Sequence, residues 1–410
     1  MDFTPSPKAN EYLARMRSFI DAHIVPIEKT YRNENLRMNA GADWTEWRVP
    51  PVIEALKEKA REAGLWNLFL PSESGLSTLE YAPLAEMTGR FEFSAEVFNC
   101  NAPDTGNMEV LHHFGSEDQK EKWLKPLLAG KIRSVFCMSE PDVASSDATN
   151  IAGTIQEDGA DLVLNGKKWW STGVGHPNAK LAIFMGVSNP DADPHRRHSM
   201  VLVPLDTPGV RITRMLPTFG EYDPPYGHGE VEFNDVRVSK ENVILGLGKG
   251  FLIAQGRLGP GRIHHSMRAI GAAERALELT ILRASRREAF GKPLIKLGGN
   301  LEQIANARMA IDQARLLTLY AAWKIDRYGV KEAMTEISAI KVVAPNVLQS
   351  VVDHAIQIHG GAGLSHDVPL TNLFLMARAL RLADGPDEVH RAMVARHELA
   401  KYRVREAEIA

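Results

Sequence analysis

Three short segments of the sequence combine side chains that could bind a planar or an anionic ligand. The first is FCMSEPDVASSD at residues 136–147, where hydroxyl and small side chains follow a β-type run. The second is NGKKWWSTG at residues 165–173, which sets aromatic rings beside hydroxyls, and the third is the glycine-rich QIHGGAG at residues 357–363. Backbone N–H groups exposed in such loops suit phosphates, and aromatic rings suit flat ligands. Taken singly, each segment is more often an ordinary polar turn between core elements.

A fourth segment, LADGPDEVH at residues 382–390, places Asp384 directly before Gly385 and Pro386. Asp-Gly-Pro is an ordinary way to begin a helix. Taken alone, this segment is therefore read as a polar turn in which Asp384 caps the following helix.

Other motifs of catalytic chemistry are weak or missing in this sequence. LGLGKG at residues 245–250 resembles a dinucleotide loop, but polar residues precede it, so it predicts a tight connection into a helix. His195 and His198 lie in a charged stretch and are expected in a solvated loop, while the adjacent His264 and His265 would point in different directions on a helix. We therefore expect no bound metal. Neither G-x-S-x-G nor G-x-x-x-x-G-K-[ST] occurs, which removes the best support for a serine nucleophile and for nucleotide hydrolysis.

The composition is that of a globular chain with two or three domains. The chain has 410 residues, a formal net charge of −3 and 44% hydrophobic residues, so it is too long for one ordinary domain and too neutral for general nucleic-acid binding. Its two cysteines, Cys100 and Cys137, cannot build a disulfide framework, which fits a reducing compartment. The N-terminal residues carry no apolar signal core and no stretch approaches a membrane span, so we expect a cytoplasmic protein.

The elements that must position these groups follow an α–β–α order, which predicts an α+β fold. Residues 1–130 read as an N-terminal α-helical domain, residues 131–245 as a central, mostly antiparallel β-domain, and residues 246–410 as a C-terminal helical bundle domain of four helices. In the third zone, Leu301–Tyr328 repeats apolar residues three, four and seven positions apart, with Thr318 as a gap in the apolar face. This order does not match an alternating βαβ pattern.

Local punctuation indicates two helices and one hairpin. Pro51 and Gly64 bound one helix, and Ser116 with Gln119 resembles a capping box for another that runs to residue 128. The Asn-Gly pair at residues 165–166 indicates a hairpin turn, because both residues tolerate positive φ. Runs of β-branched and aromatic residues predict strands at Ser134–Met138, Asp161–Leu164, Leu181–Val187, Met200–Pro204, Val210–Met215 and Gly229–Phe233.

Together and in this order, the segments resemble the acyl-CoA dehydrogenase family over nearly the whole chain. SEPDVASSD at residues 139–147 resembles the family loop [ST]-E-P-x-x-G-S-D, with one extra residue and Ala144 in place of glycine. NGKKWW at 165–170 resembles N-G-x-K-x-W, REAFG at 287–291 resembles R-x-x-F-G, and QIHGG at 357–361 resembles Q-x-x-G-G. The joint match is specific, and its details are nearest the branch that contains family members ten and eleven.

The resemblance implies an acyl-CoA dehydrogenase-like α+β fold that binds FAD between the β-domain and the bundle. By resemblance, Ser139 lies near the flavin pyrimidine, Thr172 lies near N5, and Arg287 reaches the pyrophosphate of a neighbouring subunit's FAD, which a guanidinium suits. We therefore expect a homodimer or a homotetramer. The residues that match cofactor positions are Phe136, Met138, Ser139, Ser145, Trp170, Ser171, Thr172, Arg287, Phe290, Gln357, Gly360, Gly361, Pro386 and Glu388.

The activity that the resemblance implies is α,β-desaturation of an acyl-CoA thioester, with electrons passing to an electron-transfer flavoprotein. Asp384 stands where the family base is usually a glutamate, and its side chain is shorter by one C–C bond, about 1.5 Å. Some members place the base just before the arginine that Arg262 resembles, and that position here is Gly261, which cannot ionise. The residues that match substrate positions are Ser146, Gly259, Pro260, Gly261, Arg262 and Gly385. The branch suggests medium, long or 4-hydroxylated acyl groups.

Two other functions stay open at this point. One is an acyl-CoA oxidase or a flavin enzyme acting on a substrate without CoA, which rapid reoxidation by oxygen would distinguish from a dehydrogenase. The other is a non-catalytic flavoprotein scaffold, against which the retained carboxylate of Asp384 argues.

Overall fold

The computed structural model describes residues 2–39, 41 and 43–402, and it leaves the side chains of residues 258–260 undescribed. The chain forms two compact units. The bundle unit consists of Met1–Glu28, Glu62–Ala95 and Gly259–Ala410, and the sheet unit consists of Lys29–Arg61 and Glu96–Leu258. The domain boundaries that the sequence indicates near residues 130 and 245 stay a prediction.

The elements confirm a mixed helical and sheet fold. The helices are α1 (Pro7–Phe19), α2 (Glu28–Met38), α3 (Pro51–Glu62), α4 (Pro71–Ser74), α5 (Thr78–Gly89), α6 (Ser94–Val97), α7 (Asp104–Phe114), α8 (Glu117–Gln119), α9 (Lys125–Leu128), α10 (Gly250–Arg286), α11 (Asn300–Tyr328), α12 (Met334–His359), α13 (Leu370–Leu380) and α14 (Asp387–Lys401). The strands are β1 (Arg133–Cys137), β2 (Thr154–Asp158), β3 (Asp161–Thr172), β4 (Ala179–Val187), β5 (His198–Pro204), β6 (Val210–Met215), β7 (His228–Ser239), β8 (Glu288–Ala289) and β9 (Lys292–Pro293). Single π turns at Ile20–Ile24 and Lys120–Leu124 and short 3-10 turns connect some of these elements.

Seven strands of the sheet unit form one sheet in the order β1-β4-β2-β3-β7-β6, with β5 paired to β4. The pairs β2–β3, β3–β7, β6–β7 and β4–β5 are antiparallel, and β1 runs parallel to β4. The sheet is therefore mostly antiparallel, as the sequence predicts. Leu162, Phe184 and Phe233 are fully buried in its core, and the two phenylalanine rings lie 4.7 Å apart.

The hairpin predicted at residues 165–166 is wrong, because β3 continues through both residues to Thr172. The pair forms a bulge instead, where the register against β7 shifts between Leu164 and Gly166. Asn165 Nδ2 donates a hydrogen bond to Asp235 Oδ1 at 3.0 Å, and the Asp235 N–H donates to Asn165 Oδ1 at 2.8 Å. A Cβ at Gly166 would lie 3.0 Å from the Gly153 Cα, so glycine permits a close backbone approach.

Helix punctuation is read correctly at several places. Helix α3 begins at Pro51, and Gly64 just after its end has φ +62°. The capping box at Ser116 is confirmed, with the Gln119 N–H donating to Ser116 Oγ at 3.2 Å and the Ser116 N–H donating to Gln119 Oε1 at 3.1 Å. In α11 the polar Thr318, which interrupts the predicted apolar face, is fully buried with that face, and its hydroxyl donates to the Ala314 carbonyl at 2.8 Å.

The bundle unit packs α11 against α12 and α12 against both α13 and α14. Helix α10 begins at Gly250, which confirms the tight connection predicted for residues 245–250. The solvated loop predicted around His198 is wrong for that residue: His198 begins β5 and is fully buried, with Nε2 2.9 Å from the Ile151 carbonyl oxygen. No helix in the described part of the chain is long and apolar enough to cross a bilayer.

Candidate active site

A buried ion pair fixes the loop that follows β1 in the sheet unit. Lys168 on β3 is fully buried, and its Nζ donates to Glu140 Oε1 at 2.5 Å and to the carbonyl oxygens of Met185 at 2.6 Å and Met138 at 3.2 Å. Glu140 also accepts from the N–H groups of residues 152 and 153, both at 2.8 Å. Burial lowers the pKa of Lys168 and the Glu140 charge opposes this. The pair ties the loop to the strand that carries Trp170 and Thr172.

The loop brings several predicted residues together. Phe136, at the end of β1, is half-buried, and so are Met138 and Ser139. The Ser139 carbonyl accepts from the Trp169 N–H at 3.0 Å, which holds the loop beside β3. Ser145 uses its hydroxyl inside the loop, where it accepts from the Glu140 N–H at 2.8 Å, whereas Ser146 is exposed.

The end of β3 presents an aromatic ring and a hydroxyl. Trp170 has φ +50° and is 42% exposed, which is unusual for so large an apolar ring. Thr172 Oγ1 lies 2.9 Å from His228 Nδ1, and burial lowers the pKa of His228 to about 4, so this imidazole is neutral near pH 7. Ser171 as a whole is fully buried, so the cofactor contact predicted for it stays a prediction.

Asp384 occupies a strained turn in the bundle unit. Its φ is +53°, in the left-handed region, and Gly385 follows with φ +100°. Two side chains hold its carbonyl oxygen: Arg262 Nη2 donates to it at 3.2 Å, and His390 Nε2 lies 3.1 Å away. A Cβ at Gly385 would lie 2.9 Å from His390 Nε2, so this position has no space for a side chain. Strain of this kind clusters at functional sites.

The capping alternative for Asp384 is wrong, because the N-cap of α14 is Pro386 and no side chain caps it. The buried acid of that first turn is Asp387, whose Oδ2 accepts from Arg381 Nε at 2.9 Å and from Asn346 Nδ2 at 3.1 Å. The Asp384 carboxylate instead faces α10, with Oδ2 3.4 Å from His265 Nε2. Its side chain is 24% exposed, so the carboxylate is partly shielded from water and still reachable.

Basic groups surround the Asp384 turn. Lys341 on α12 is buried and donates from Nζ to the Leu380 carbonyl. Burial lowers its pKa to about 8, although the Asp384 charge acts in the opposite direction. Burial, assisted by the Arg262 charge, lowers the pKa of His390 to about 4. Arg262 therefore carries the positive charge nearest the Asp384 backbone at neutral pH, while His390 is uncharged.

Most of the remaining predicted cofactor residues of the bundle unit are exposed. Phe290 is 95% exposed with φ +52°, and Arg287 and Gln357 are exposed too. Burial lowers the pKa of His359 at the end of α12, and the Arg283 charge at the end of α10 adds a smaller effect in the same direction. Gly360 and Gly361 follow in an exposed turn, Pro386 is half-buried, and Glu388 is 78% exposed at its side chain.

The predicted substrate positions are only partly brought together. Arg262 is buried and contacts Asp384, next to Gly385. A Cβ at Gly261 would meet nothing within 4 Å, so this position is open. Ser146 belongs to the sheet unit. Gly259 and Pro260 lie in α10, and their surroundings fall outside the described residues.

Three positioning contacts were missed from the sequence. His265 stands in the sequence only as one of two adjacent histidines, yet it faces Asp384. No motif includes His228, which contacts Thr172, and the N-G-x-K-x-W motif does not indicate that Lys168 forms a buried ion pair. The rotation of about 100° between successive helix residues places His264 and His265 on different faces of α10. The sequence carries no signal for which face meets Asp384.

Comparisons with known proteins match nearly the whole chain. Three family models match in order: the acyl-CoA dehydrogenase N-terminal domain over residues 6–131, the middle domain over 135–236 and the C-terminal domain over 248–399. The chicken acyl-CoA dehydrogenase family member 11 is 55% identical over 97% of this chain and 51% of its own length. FadE2 of Mycobacterium tuberculosis, named for the same activity, is 55% identical over 98% of both chains.

A solved structure is similar to this chain over nearly its whole length. A Mycobacterium abscessus chain, whose name places it among acyl-CoA dehydrogenases, is 60% identical with a TM-score of 0.94, over 97% of this chain and 100% of its own. The chain spans about half the length of the animal relatives that it matches and nearly the full length of the mycobacterial ones.

Proposed function

The chain belongs to the acyl-CoA dehydrogenase family, and from that premise we propose that it is an FAD-dependent oxidoreductase acting on the CH–CH group of an acyl-CoA. The observation that carries this proposal is the Asp384 turn. A partly shielded carboxylate is held at φ +53° by Arg262 and His390 and faces His265. So specific an arrangement suits a general base better than a helix cap.

Asp384 would remove the α-proton of the acyl thioester. That proton is very weakly acidic, so the carbonyl must be polarised by hydrogen bonds and the base must be partly desolvated. A hydride leaves the β-carbon at the same time, so that the substrate loses one proton and one hydride and gains a double bond. The strained turn and its basic neighbours fix where the short aspartate side chain lies.

FAD, when bound, supplies the hydride acceptor. The residues fit such a group: Trp170 and Phe290 expose aromatic rings at positive φ, and Gly361 leaves space where a Cβ would meet nothing within 4 Å. Thr172 would hold its hydroxyl toward the flavin, and Arg287 would bind the pyrophosphate. Pro386 and Glu388 stand where the family usually has a threonine and a glutamine, so we assign the cofactor contacts of α14 to its backbone.

The substrate is a medium-chain, long-chain or 4-hydroxylated acyl-CoA. The open position of Gly261 in α10 supports this, because a longer or branched tail needs space there. Arg262 and Ser146 would contact the CoA arm. The electrons would pass to an electron-transfer flavoprotein, as the family resemblance implies, and the reaction would serve fatty acid or related lipid oxidation.

The working form is a homodimer or a homotetramer. Leu282 and Leu301 are 41% and 64% exposed beside a cavity of about 570 Å³ in the bundle unit, which supports burial against another copy. We place the protein in a reducing compartment such as the cytoplasm, because its two cysteines, Cys100 and Cys137, are too few for a disulfide framework.

The test is an anaerobic visible spectrum titrated with acyl-CoAs of increasing length, for the wild type, Asp384→Asn and the control Asp353→Asn at an exposed position on α12. We expect one chain-length class to bleach the wild type and the control, and no acyl-CoA to bleach Asp384→Asn although it stays yellow. Bleaching that survives in Asp384→Asn would remove Asp384 from this role. Fast reoxidation of the bleached protein by oxygen would identify an oxidase, and a colourless protein without acyl-CoA affinity would identify a scaffold.

A further inference from the structure

We propose that His265 is a positioning residue for Asp384, donating a hydrogen bond from Nε2 to the carboxylate that removes the substrate proton. This inference rests on the proposed role of Asp384 and adds a residue that neither the sequence motifs nor the family resemblance indicated. His265 lies on α10 one helical turn before Arg268 and directly faces the Asp384 turn, with Nε2 3.4 Å from Oδ2.

The tautomer of His265 follows from its other neighbour. Arg268 Nη2 lies 3.3 Å from His265 Nδ1, and a guanidinium can only donate. Nδ1 is therefore the acceptor, so the proton of the neutral ring is on Nε2, the nitrogen that faces Asp384. The two hydrogen bonds therefore point in the same direction: Arg268 donates to His265, and the neutral His265 ring donates to the Asp384 carboxylate.

The neighbouring charges favour a neutral His265 imidazole, which donates a hydrogen bond to Asp384 and does not accept the substrate proton. Among the described residues, the charged or titratable groups near this pair include Arg262, His264 and Arg268 on α10, Lys341 on α12 and His390 on α14. Burial, assisted by the Arg268 charge, lowers the pKa of His264 well below its ordinary value. A proton on Nδ1 of His265 would remove the acceptor of Arg268 and place a second positive charge beside it, which is unfavourable. The proton taken from the substrate therefore stays on Asp384.

The contact compensates for the length of the side chain. Aspartate has one C–C bond fewer than glutamate, so its carboxylate reaches less far from the backbone, and a base misplaced by about 1 Å can cost 100-fold in rate. His265 holds the rotation of the carboxylate through Oδ2, while Arg262 and His390 hold the main chain through the Asp384 carbonyl. Side chain and backbone are thereby fixed by different partners.

The first test follows deuterium loss from an acyl-CoA labelled at its α-carbon, using enzyme whose flavin has been reduced beforehand. Hydride transfer is blocked in that enzyme, so mass spectrometry reports proton exchange by the base alone. The variants are His265→Leu, His265→Gln and the exposed control His195→Gln. We expect a roughly 10- to 100-fold slower exchange in His265→Leu, partial recovery in His265→Gln, whose amide can donate from a similar position, and no change in the control.

The pH profile of that exchange separates positioning from structural loss. A donor stabilises the carboxylate form, so its removal raises the pKa of the base, and the acid limb of His265→Leu should move to higher pH. If the acid limb of His265→Leu stays at the wild-type pH and its exchange rate equals that of the wild type, the proposal is overturned. Exchange that survives in Asp384→Asn but is lost in both His265 variants would overturn it too, by making His265 the base.

A spectroscopic test needs no turnover. In protein labelled with ¹⁵N-histidine, the ring resonances missing from His265→Gln identify His265, and their shifts should show a neutral Nε2–H tautomer from about pH 6 to pH 8. An Nδ1–H tautomer or an imidazolium would contradict the inference. If the wild type neither exchanges the α-deuterium nor is bleached by any acyl-CoA, the proposed function fails, while the tautomer still tests the contact.

Discussion

Lys168 and Glu140 form a buried ion pair in which each charge depends on the other. Removing one partner leaves the other charge buried and uncompensated, which costs about 3–5 kcal/mol. We expect Lys168→Met to lower the free energy of unfolding by that order and to weaken FAD binding, because the loop at residues 138–153 loses its tie to β3. Urea unfolding and flavin fluorescence measure the two effects.

The neighbouring residue provides a matched control. Lys167 pairs with Glu230 and Glu232 at a side chain that is 43% exposed, so Lys167→Met should change stability by less than about 1 kcal/mol. The double variant Lys168→Met with Glu140→Gln should recover part of the loss, because no lone charge remains. Equal stability of the two lysine variants would show that the buried pair is not what fixes the loop.

Glu109 on α7 gives the protein a dependence of stability on pH. Burial raises its pKa to about 8, and the Arg257 charge only partly opposes this. The folded state binds this proton more tightly than the unfolded state does. Burying Glu109 therefore costs no folding stability below its ordinary pKa of 4.5, and the cost grows with pH up to about pH 8. Glu109→Gln should therefore match the wild type at pH 5 and exceed its stability at pH 9, by roughly 3–5 kcal/mol.

Urea midpoints at pH 5, 7 and 9 check this sign. Glu121, which is exposed, supplies the control: Glu121→Gln should follow the wild type at every pH. A Glu109→Gln variant that is less stable than the wild type at pH 9 would mean that the carboxylate is ionised and paired in the folded protein.

For a single residue, the sequence predicts a role where the signal lies in the residues next to it in the chain. Asp384 could be singled out because, by resemblance, it stands at the position of the family base, directly before Gly385. His265 could not, because its partner lies far along the chain on another element. Ser171 is the opposite case: the resemblance includes it, but the residue is fully buried in β3.

Among the elements, α5 and α10 approach so closely that glycine is required on both. A Cβ at Gly271 would lie 1.9 Å from the Glu86 carbonyl oxygen, and one at Gly89 would lie 2.1 Å from that of Arg268. Gly271→Ala should therefore force the helices apart and cost about 1–3 kcal/mol or more. Because Arg268 lies at this crossing, the variant should also slow the α-proton exchange that depends on His265.

Gly261 on the same helix is the control for stability. Its Cβ would meet nothing within 4 Å, so alanine there should stabilise α10 by up to about 1 kcal/mol, since glycine is the poorer helix former. Thermal unfolding compares the two variants. A Gly271→Ala protein that melts with or above Gly261→Ala would refute the close crossing.

Elements with end signals are predicted from the sequence, and elements without them are not. Pro51 and the Ser116 capping box mark real helix starts. Strand β2 was missed, because TIQED has only one buried residue and little apolar pattern. The Asn-Gly pair at residues 165–166 suits a bulge as well as a hairpin, and only the partner strand β7 decides between them.

For the whole molecule, the decisive question is whether one subunit completes the cofactor site of another. Arg287, Gln357 and Gly361 are exposed, and Phe290 is almost fully so, although these residues match cofactor positions. Exposed arginine and phenylalanine side chains make sense if a second copy brings the FAD that they contact. The sequence predicts these residues by resemblance, and the resemblance assigns them to the FAD of a neighbouring subunit.

Two inactive variants can answer this by complementation. Asp384→Asn subunits lack the base, and Arg287→Ala subunits lack the pyrophosphate contact that they would offer a neighbour. In a mixed dimer, the site with a normal Asp384 receives a normal Arg287 from its partner and is intact, while the other site lacks both. Random equal mixing makes half of the dimers mixed, so roughly a quarter of the wild-type activity should return. If native mass spectrometry finds mixed oligomers but no activity returns, each subunit binds its own FAD with its own Arg287.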